Sequence, residues 1–460
     1  MTEGHTVVLG GGCAGLAAAW RLGKRGISVV LVEASDHVGG LAGGVQFGGN
    51  VYEYGPHIFH TTDAELLAEI KELMGDDLLP YKRTIQIKFL GGYFKFPLSM
   101  TEVFFKLSPW TLVRAAASFL YHFTVGALSR PSVENTETVL QRYYGDVLYR
   151  IFFKDYIERV WGIPPSEFSP SFARQRIPRL NVLEIFDKFA TLFWKKARGG
   201  LRTEGYVEKT EGGLYTTREG FSMITKRLGE RLVQTGCEFR LNTRVQKILR
   251  EGDRVIAVSL TSQGKSETLP CAAVINTTPI NECTLSFSPS LGAGIDQAAR
   301  SLRFRALVFV GIRVCRPQVL PASFMYFREH VFNRITDLSH FSFDIDPPGS
   351  TLLIAEVSCD PQDAVWRDEI GVKEAVIEDL ERESILDRSE IEETVVFRAQ
   401  HAHPIYTLGH EDALQSVLKG LGMLENFETA GRQGRFQYVN THVAMKMGYE
   451  AADHLIERMV

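Results

Sequence analysis

The chain has 460 residues, 51 Lys and Arg against 55 Asp and Glu, a formal net charge of -4, and 45% hydrophobic residues. That balance belongs to a globular protein long enough for about three domain-sized units, and it excludes the basic face that nucleic-acid binding needs. The cysteines Cys13, Cys237, Cys271, Cys283, Cys315 and Cys359 are scattered with no C-x-x-C pair, which predicts reduced thiols in a cytoplasmic setting.

The strand-like "HTVVLGGG" begins almost at once, so no signal peptide is expected ahead of it. "TVVLGGGCAGLAAAWRLGKRGISVVLVEAS" (6–35) then predicts a strand, a glycine-rich turn, a helix and a second strand. Gly10 permits the tight turn, Gly12 admits a pyrophosphate to the backbone, and Gly15 lets helix and strand pack closely. The helix start offers unpaired N–H groups to phosphates, and Glu33 stands where a carboxylate accepts from ribose hydroxyls. A purely structural glycine turn is the competing reading. Next, "ASDHVGGLAGG" (34–44) holds the doublet Gly39-Gly40 and Leu41, and "YEYGPHIFHT" (52–61) holds Gly55, Pro56, His57, Phe59 and His60. Catalytic zinc takes about three protein ligands, and no third stands near His57 and His60, so no metal site is expected. A packed corner and a cofactor wall both remain open for this stretch.

Residues 61–235 read mainly as helices, interrupted at "GGYFKFPLSM" (91–100) by a hairpin-like segment. "PWTLVRAAASFLYHFTVGAL" (109–128) contains Arg114 and His122, which predicts a mostly buried helix in place of a membrane span. Peripheral contact with a membrane surface stays open. The basic cluster "FWKKAR" (193–198) reads as a solvated face. "CEFRLNTRVQKILREGDRVIAVSL" (237–260) alternates as two strands about a turn at Glu251-Gly252-Asp253, and "CAAVINTTPI" (271–280) should return to the first sheet. Strands such as "ALVFVGIRV" and "STLLIAEVS" follow, with a helix near 371–383, and the chain closes on an amphipathic helix. The expected fold class is α/β. A Rossmann-type domain is drawn from 1–60, 215–280 and 425–460. A mainly helical substrate domain is inserted at 61–214, and a mixed sheet and helix region at 281–424.

Through "ASDHVGGLAGG", "YEYGPHIFHT" and the C-terminal "ETAGRQGRFQY" (428–438), the chain resembles the UDP-galactopyranose mutase-like branch of the FAD-dependent amine oxidase and protoporphyrinogen oxidase superfamily. That resemblance implies FAD as cofactor, held by Gly10, Gly12, Gly15, Glu33, Gly39, Gly40, Leu41, Gly55, Pro56, Val245, Gly431 and Arg432. His57 would border the reactive edge of the flavin, with Phe59 and His60 shaping the pocket. Oxidases of this superfamily carry Gly-Asp where this chain has Gly431-Arg432; the mutases carry Gly-Arg, followed by a tyrosine such as Tyr438. An arginine that only caps a carbonyl or pairs with an acid is the plainer reading of Arg432.

"FFKDYIERVWGIPP" (152–165) resembles the mutase segment that lines the nucleotide site, which places Tyr156 and Trp161 there. "RQRIPRLN" (174–181) resembles a diphosphate-arginine segment: Arg176 matches the longer mutases, whereas the bacterial pattern falls on Leu180, with Arg179 one position early. "FMYFREHVFNRITDLSHFS" (324–342) places the second arginine at Arg334 and a phosphate-contacting tyrosine at Tyr326. Tyr438, Asn440 and His403 complete the implied substrate set, His403 standing where the mutases have a tyrosine before proline. Phe96, Ser99 and Ile157 also depart from the longer mutases, and the bacterial Y-F-x-D and Q-G-x-P signatures are absent between 181 and 215.

The resemblance implies attack at an anomeric carbon by N5 of reduced FAD, with Arg176, Arg334 and His57 as the catalytic set and NAD(P)H as a candidate external reductant. Guanidinium forks bind diphosphate oxygens bidentately and stabilise the charge that grows on them as the bond to the sugar breaks. A sugar nucleotide or other anionic sugar is the implied substrate. An FAD-dependent oxidase or dehydrogenase is the alternative, and a flavin-binding protein without turnover a third reading. Nothing in the sequence sets the oligomeric state.

Overall fold

Val7–Leu9 and Val29–Val32 are buried along their whole length, the pattern of parallel strands covered on both faces. In the computed structural model, which describes residues 4–95, 106–128, 133–177 and 212–459, they pair with each other in parallel. Ala273–Asn276 flanks Thr6–Leu9 on the other side, and Glu238–Arg240 and Phe427–Thr429 form the two edges. A single sheet thus draws strands from widely separated stretches, and "CAAVINTTPI" returns to it as expected. The helices Cys13–Gly23 and Thr441–Met459 pack together over it. The strands Thr243–Glu251 and Arg254–Ser262 turn at Gly252-Asp253 and belong to a separate four-stranded sheet.

A seven-stranded sheet carries the rest of the architecture. Its order is Ile391–Ile405, Arg303–Val314, Thr351–Cys359, Arg334–Asp337, Phe324–Tyr326, Ile85–Phe89 and Gly92–Lys95. The last two strands are the hairpin seen in the sequence near 91–100; the segments holding Phe96, Ser99, Arg179, Leu180 and 193–198 lie outside the described residues. The central strands are almost wholly apolar and buried, so the few polar groups on them are informative.

One of those polar groups is Asp337, which is fully buried. Its Oδ2 accepts from the Val319 and Leu320 N–H groups at 2.9 and 2.8 Å. Its Oδ1 accepts from Ser339 N, Ser339 Oγ and Thr351 Oγ1 at 3.0, 2.6 and 2.8 Å. Five donors satisfy a carboxylate that burial would otherwise destabilise, and they fix the end of the strand that begins at Arg334.

The helical insertion runs through Thr136–Tyr149, a π-helical turn at Arg150–Lys154, Asp155–Trp161 and Pro170–Arg176. Asn135 and Thr138 cap the first helix reciprocally, Gly162 ends the third in a left-handed conformation, and Ser169 caps the fourth ahead of Pro170. Pro109–Leu128 is helical as expected, but its expected burial is not found. Of its described side chains only Ala115 is buried, because one face alone meets Thr136–Tyr149, where Ser118 Oγ accepts from Asp146 N at 2.7 Å. Among the described residues no helix is long and apolar enough to cross a membrane.

Replacing Asp337 by Ala removes the shared acceptor of five donors, two of them buried, and is expected to lower unfolding stability by about 3 kcal/mol or more, measured by denaturant titration. Asp337→Asn, which keeps one acceptor oxygen, is expected to lose less.

Candidate active site

The parallel strand Thr6–Leu9 delivers the chain into the turn at Gly10, and the helix Cys13–Gly23 starts immediately beyond with no side-chain cap. Its first N–H groups are therefore left for a ligand. A Cβ on Gly15 would run into the Gly10 carbonyl oxygen, so only glycine permits this close packing. Next to Gly12, by contrast, the nearest atom to an added Cβ is Gly40 Cα at 3.9 Å, which leaves room above the backbone. Gly39 N donates to Gly11 O at 2.8 Å and ties the doublet to the turn, with Leu41 in the short 3-10 turn that follows.

Glu33 stands at the end of the second strand, its Oε2 accepting from Gly11 N at 2.7 Å and its Oε1 from Ser35 N and Oγ at 2.8 Å. Val245, expected at the adenine end, lies two residues past Thr243, whose N–H donates to Glu33 O at 2.9 Å. Gly431 closes the cradle from the C-terminal side: it has φ 82°, and a Cβ there would meet Ala14 Cβ at 2.7 Å. An uncapped helix start, an open backbone above Gly12 and a carboxylate at the strand end fit FAD.

Beyond the cradle, the seven-stranded sheet and the helical insertion face each other across an arginine-rich wall. Arg334 lies directly opposite Tyr326 on one neighbouring strand and Glu356 on the other. Its Nε and Nη2 donate to the two Glu356 oxygens at 2.6 and 2.7 Å. The pair sits against the Gly55-Pro56-His57 stretch, since a Cβ on Gly55 would lie 2.8 Å from Glu356 Oε1 and 3.1 Å from Arg334 Nη2. Arg176, from the end of its helix, donates Nη2 to Tyr438 O at 3.1 Å, and its guanidinium carbon lies 3.7 Å from the Tyr438 ring centre. Arg432 caps a carbonyl, donating Nε and Nη2 to Val439 O, and lies 4.6 Å from the same ring. The plain role and the ligand-facing role of Arg432 are thus compatible. Trp161 and His403 complete the cluster, 6.2 and 4.7 Å from Tyr438 between ring centres.

The histidines respond to those charges. Burial first, then the fields of Arg432 and Arg334, press His57 down to about 3. The same causes, with Arg176 added, hold His403 well below the ordinary histidine value. Both are neutral at physiological pH. His57 is held by Nδ1 on Gly55 O at 3.1 Å, so its orientation belongs to the glycine turn.

Tyr156 and Tyr326 stand at the Arg334 end of the wall, where the Arg334 guanidinium carbon is 5.9 Å from the Tyr326 ring centre. Asn440 follows Val439, the residue whose carbonyl Arg432 holds, with its Nδ2 3.4 Å from His60 Nε2, and His60 packs edge-on against His442. Phe59 is fully buried in the core under the first sheet, so it supports the turn and does not line a ligand face. Among the described residues no three His, Cys, Asp or Glu converge as metal ligands.

Four residues that the sequence did not single out build this wall. Glu356 holds Arg334. Arg159 donates to the carbonyls of Phe327, His330 and Phe332, clamping the loop between Tyr326 and Arg334 onto the helix of Tyr156 and Trp161. Arg305 holds the end of that helix through the Val160 and Arg159 carbonyls and pairs with Asp360 at 2.7 Å. Arg328 donates to Ile151 O at 2.7 Å and lies 5.9 Å from the Tyr156 ring centre. One sequence signal was available: Glu356 is a lone acid inside the apolar run "STLLIAEVS".

Residues 13–456 match the family model described as flavin containing amine oxidoreductase. A probable UDP-galactopyranose mutase of Klebsiella pneumoniae is 27% identical over 187 residues, covering 39% of this chain and 47% of that one. A phytoene dehydrogenase of Streptomyces griseus is 26% identical over 351 residues, 66% of this chain and 63% of the other. The chain thus spans about half to two thirds of the length of these relatives. A crystal structure of reduced UDP-galactopyranose mutase superposes with a TM-score of 0.80 at 18% identity, over 99% of this chain and 94% of that one, a likeness of fold. With a family model matched over nearly its whole length, and the cradle that fits FAD in place, the chain belongs to the flavin containing amine oxidoreductases.

Proposed function

We propose that the protein is a mutase-like flavoenzyme acting on a nucleotide-linked sugar. The carrying observation is that Arg176 and Arg432 meet at Tyr438, with His403 and Trp161 around the same ring and Arg334 on the facing sheet. The likeness to the Klebsiella mutase supports it. Bound in reduced form, FAD supplies a nucleophilic nitrogen for an anomeric carbon.

The protein's own part is position and charge. Arg176 and Arg432 offer guanidinium N–H groups to the diphosphate. Arg334, its Nε and Nη2 engaged by Glu356, offers Nη1. As the anomeric C–O bond breaks, its electron pair stays on the diphosphate oxygen, where these cations stabilise it. His57 and His403 are neutral and carry no surplus proton to transfer, so the leaving group departs as an anion. Trp161, buried against Phe168 and Phe172, keeps that end of the cleft poor in water.

Two observations favour a second reading, an oxidase or dehydrogenase acting on an uncharged substrate. The fork of Arg334 is already filled by Glu356, and the Streptomyces phytoene dehydrogenase matches a longer stretch of the chain than the mutase does.

The two separate in one experiment. The protein is reduced under anaerobic conditions and offered UDP-, dTDP- and GDP-sugars; ring isomerisation without consumption of reductant is expected. Stoichiometric oxygen uptake or peroxide with an unphosphorylated substrate, and no isomerisation, would establish the oxidase. Arg176→Ala is expected to lower kcat/KM for the sugar nucleotide by about a hundredfold or more while the flavin spectrum is retained.

The histidines give a pH prediction. Unfolded, they take up protons near their ordinary value of about 6.5, and folded they do not until far lower. Their contribution to stability is therefore lost as pH falls from about 6.5 toward about 3. The variant His57→Gln/His403→Gln is expected to lose less melting temperature than the wild type between about pH 7 and about pH 5, read by differential scanning calorimetry.

A further inference from the structure

The helix Pro109–Leu128 carries a surface that nothing in the cleft uses. Trp110, Val113, Leu120, Tyr121 and Phe123 are 69%, 59%, 55%, 60% and 55% exposed. With Ala116, Ala117 and Thr124, also exposed, they recur at intervals of three and four and cover one half of the helix circumference. The opposite half is anchored on Thr136–Tyr149, where the Phe119 backbone crowds Gly145 and Ser118 Oγ accepts from Asp146 N. No described residue covers the outer half. At the same end of the molecule, the hairpin turn beside Lys106 exposes Leu90 and Tyr93 at 43% and 47%, with Lys106 Nζ 5.7 Å from the Phe94 ring centre. Soluble monomers rarely leave so continuous an apolar face open without a use for it.

Charge selects the occupant. From Val103 to Val133 the sequence has no Asp or Glu, while Lys106, Arg114 and Arg130 fall within it. In a chain with a net charge of -4 and 55 acids, an acid-free run of this length is a local reversal of sign. Arg114 is exposed at the edge of the apolar half. Tyr121 follows Trp110 by three helical turns on the same stripe, so the two side chains with an apolar body and a polar edge mark its two ends, as suits the headgroup boundary of a bilayer. The helix cannot span, because Arg114 and His122 interrupt it; it can lie flat with its apolar half among the acyl chains and its basic residues at the headgroups.

We infer that the outer face of Pro109–Leu128 is a docking surface for an anionic lipid bilayer. Binding sums two contributions, apolar burial and attraction to anionic headgroups, so it weakens with salt and with loss of either component. The face belongs to the helical insertion and contains none of the arginine-wall residues, so docking uses side chains other than those of the candidate active site.

The test uses the full-length, FAD-loaded protein and vesicle flotation. Vesicles of phosphatidylcholine mixed with phosphatidylglycerol are expected to carry the wild type, and phosphatidylcholine alone to carry about tenfold less. Trp110→Ser/Leu120→Ser is expected to reduce binding to the mixed vesicles by about tenfold or more, and Arg114→Glu by about tenfold, with flavin content and melting temperature unchanged. Those substitutions lie on an exposed helix face, so their folding is checked directly by the same two readouts. The proposal is overturned if the wild type fails to float with the mixed vesicles, or if the folded variants float as well as it does. It is equally overturned if, without lipid, sedimentation shows a dimer that Trp110→Ser/Leu120→Ser dissociates, since the face is then a contact between two copies.

Discussion

The site depends on how positive charge is brought into a cleft without being cancelled. A buried guanidinium loses several kcal/mol of hydration, and a protein recovers it either with a carboxylate, which neutralises the charge, or with carbonyl oxygens, which do not. The second route dominates here. Arg159 holds the carbonyls of Phe327, His330 and Phe332, Arg328 holds that of Ile151, and Arg176 holds that of Tyr438. Burial still pulls Arg159 and Arg328 below the ordinary arginine value. Near the Tyr438 ring, burial first and then the fields of Arg432 and Arg334, joined at His403 by that of Arg176, hold His57 and His403 neutral.

Those same hydrogen bonds join the two halves of the wall. Tyr156 and Trp161 sit on a helix of the insertion; Tyr326, Arg334 and His403 sit on the seven-stranded sheet. The two parts share apolar packing, Trp161 and Phe168 falling in one cluster with Phe304 and Ile405, and apolar contact is not directional. Arg159 and Arg305 supply the direction, one reaching from the helix to the Phe327–Phe332 loop and the other from the sheet to the helix end. Asp337 does the corresponding work within the sheet, fixing the strand of Arg334 from its far end. Residues that touch no ligand thus set where the ligand-facing ones stand.

The first sheet was legible because its signals are local. Gly10, Gly12 and Gly15 lie within six residues, the strand and helix adjoin them, and Glu33 follows the next strand, so one window contains the first half of the cofactor cradle. Resemblance brought Arg176, Arg334, Arg432, Tyr438 and His403 together, and in the fold Arg176, Arg432 and His403 neighbour the Tyr438 ring. What stayed hidden depends on tertiary register. Glu356 faces Arg334 only because two antiparallel strands align them twenty-two residues apart. Phe59 shares a short segment with His57, but it begins the two-residue strand Phe59–His60, both of whose side chains are buried, whereas His57 precedes that strand in the glycine turn. Helix 109–128 misled in the other direction: its apolar composition reads as buried, but burial needs a neighbour on each side, and Thr136–Tyr149 supplies one.

In the proposed mutase reaction, Glu356 would bear on turnover as well as on geometry. A diphosphate leaving group must be held more tightly while its bond breaks than before or after, because binding it equally throughout adds nothing to the rate. Three bare guanidiniums would hold the doubly charged group strongly at every stage, including after the sugar has been transferred. The bidentate Glu356 cancels the charge of Arg334 while its register opposite Tyr326 keeps Nη1 as a directional donor. Two cations, Arg176 and Arg432, then remain for two negative charges. Arg334 contributes a hydrogen bond whose strength grows with the charge on the oxygen it meets, which is largest as the sugar–oxygen bond breaks. A filled fork is therefore consistent with diphosphate chemistry, and the oxidase reading then rests on the longer match to the phytoene dehydrogenase.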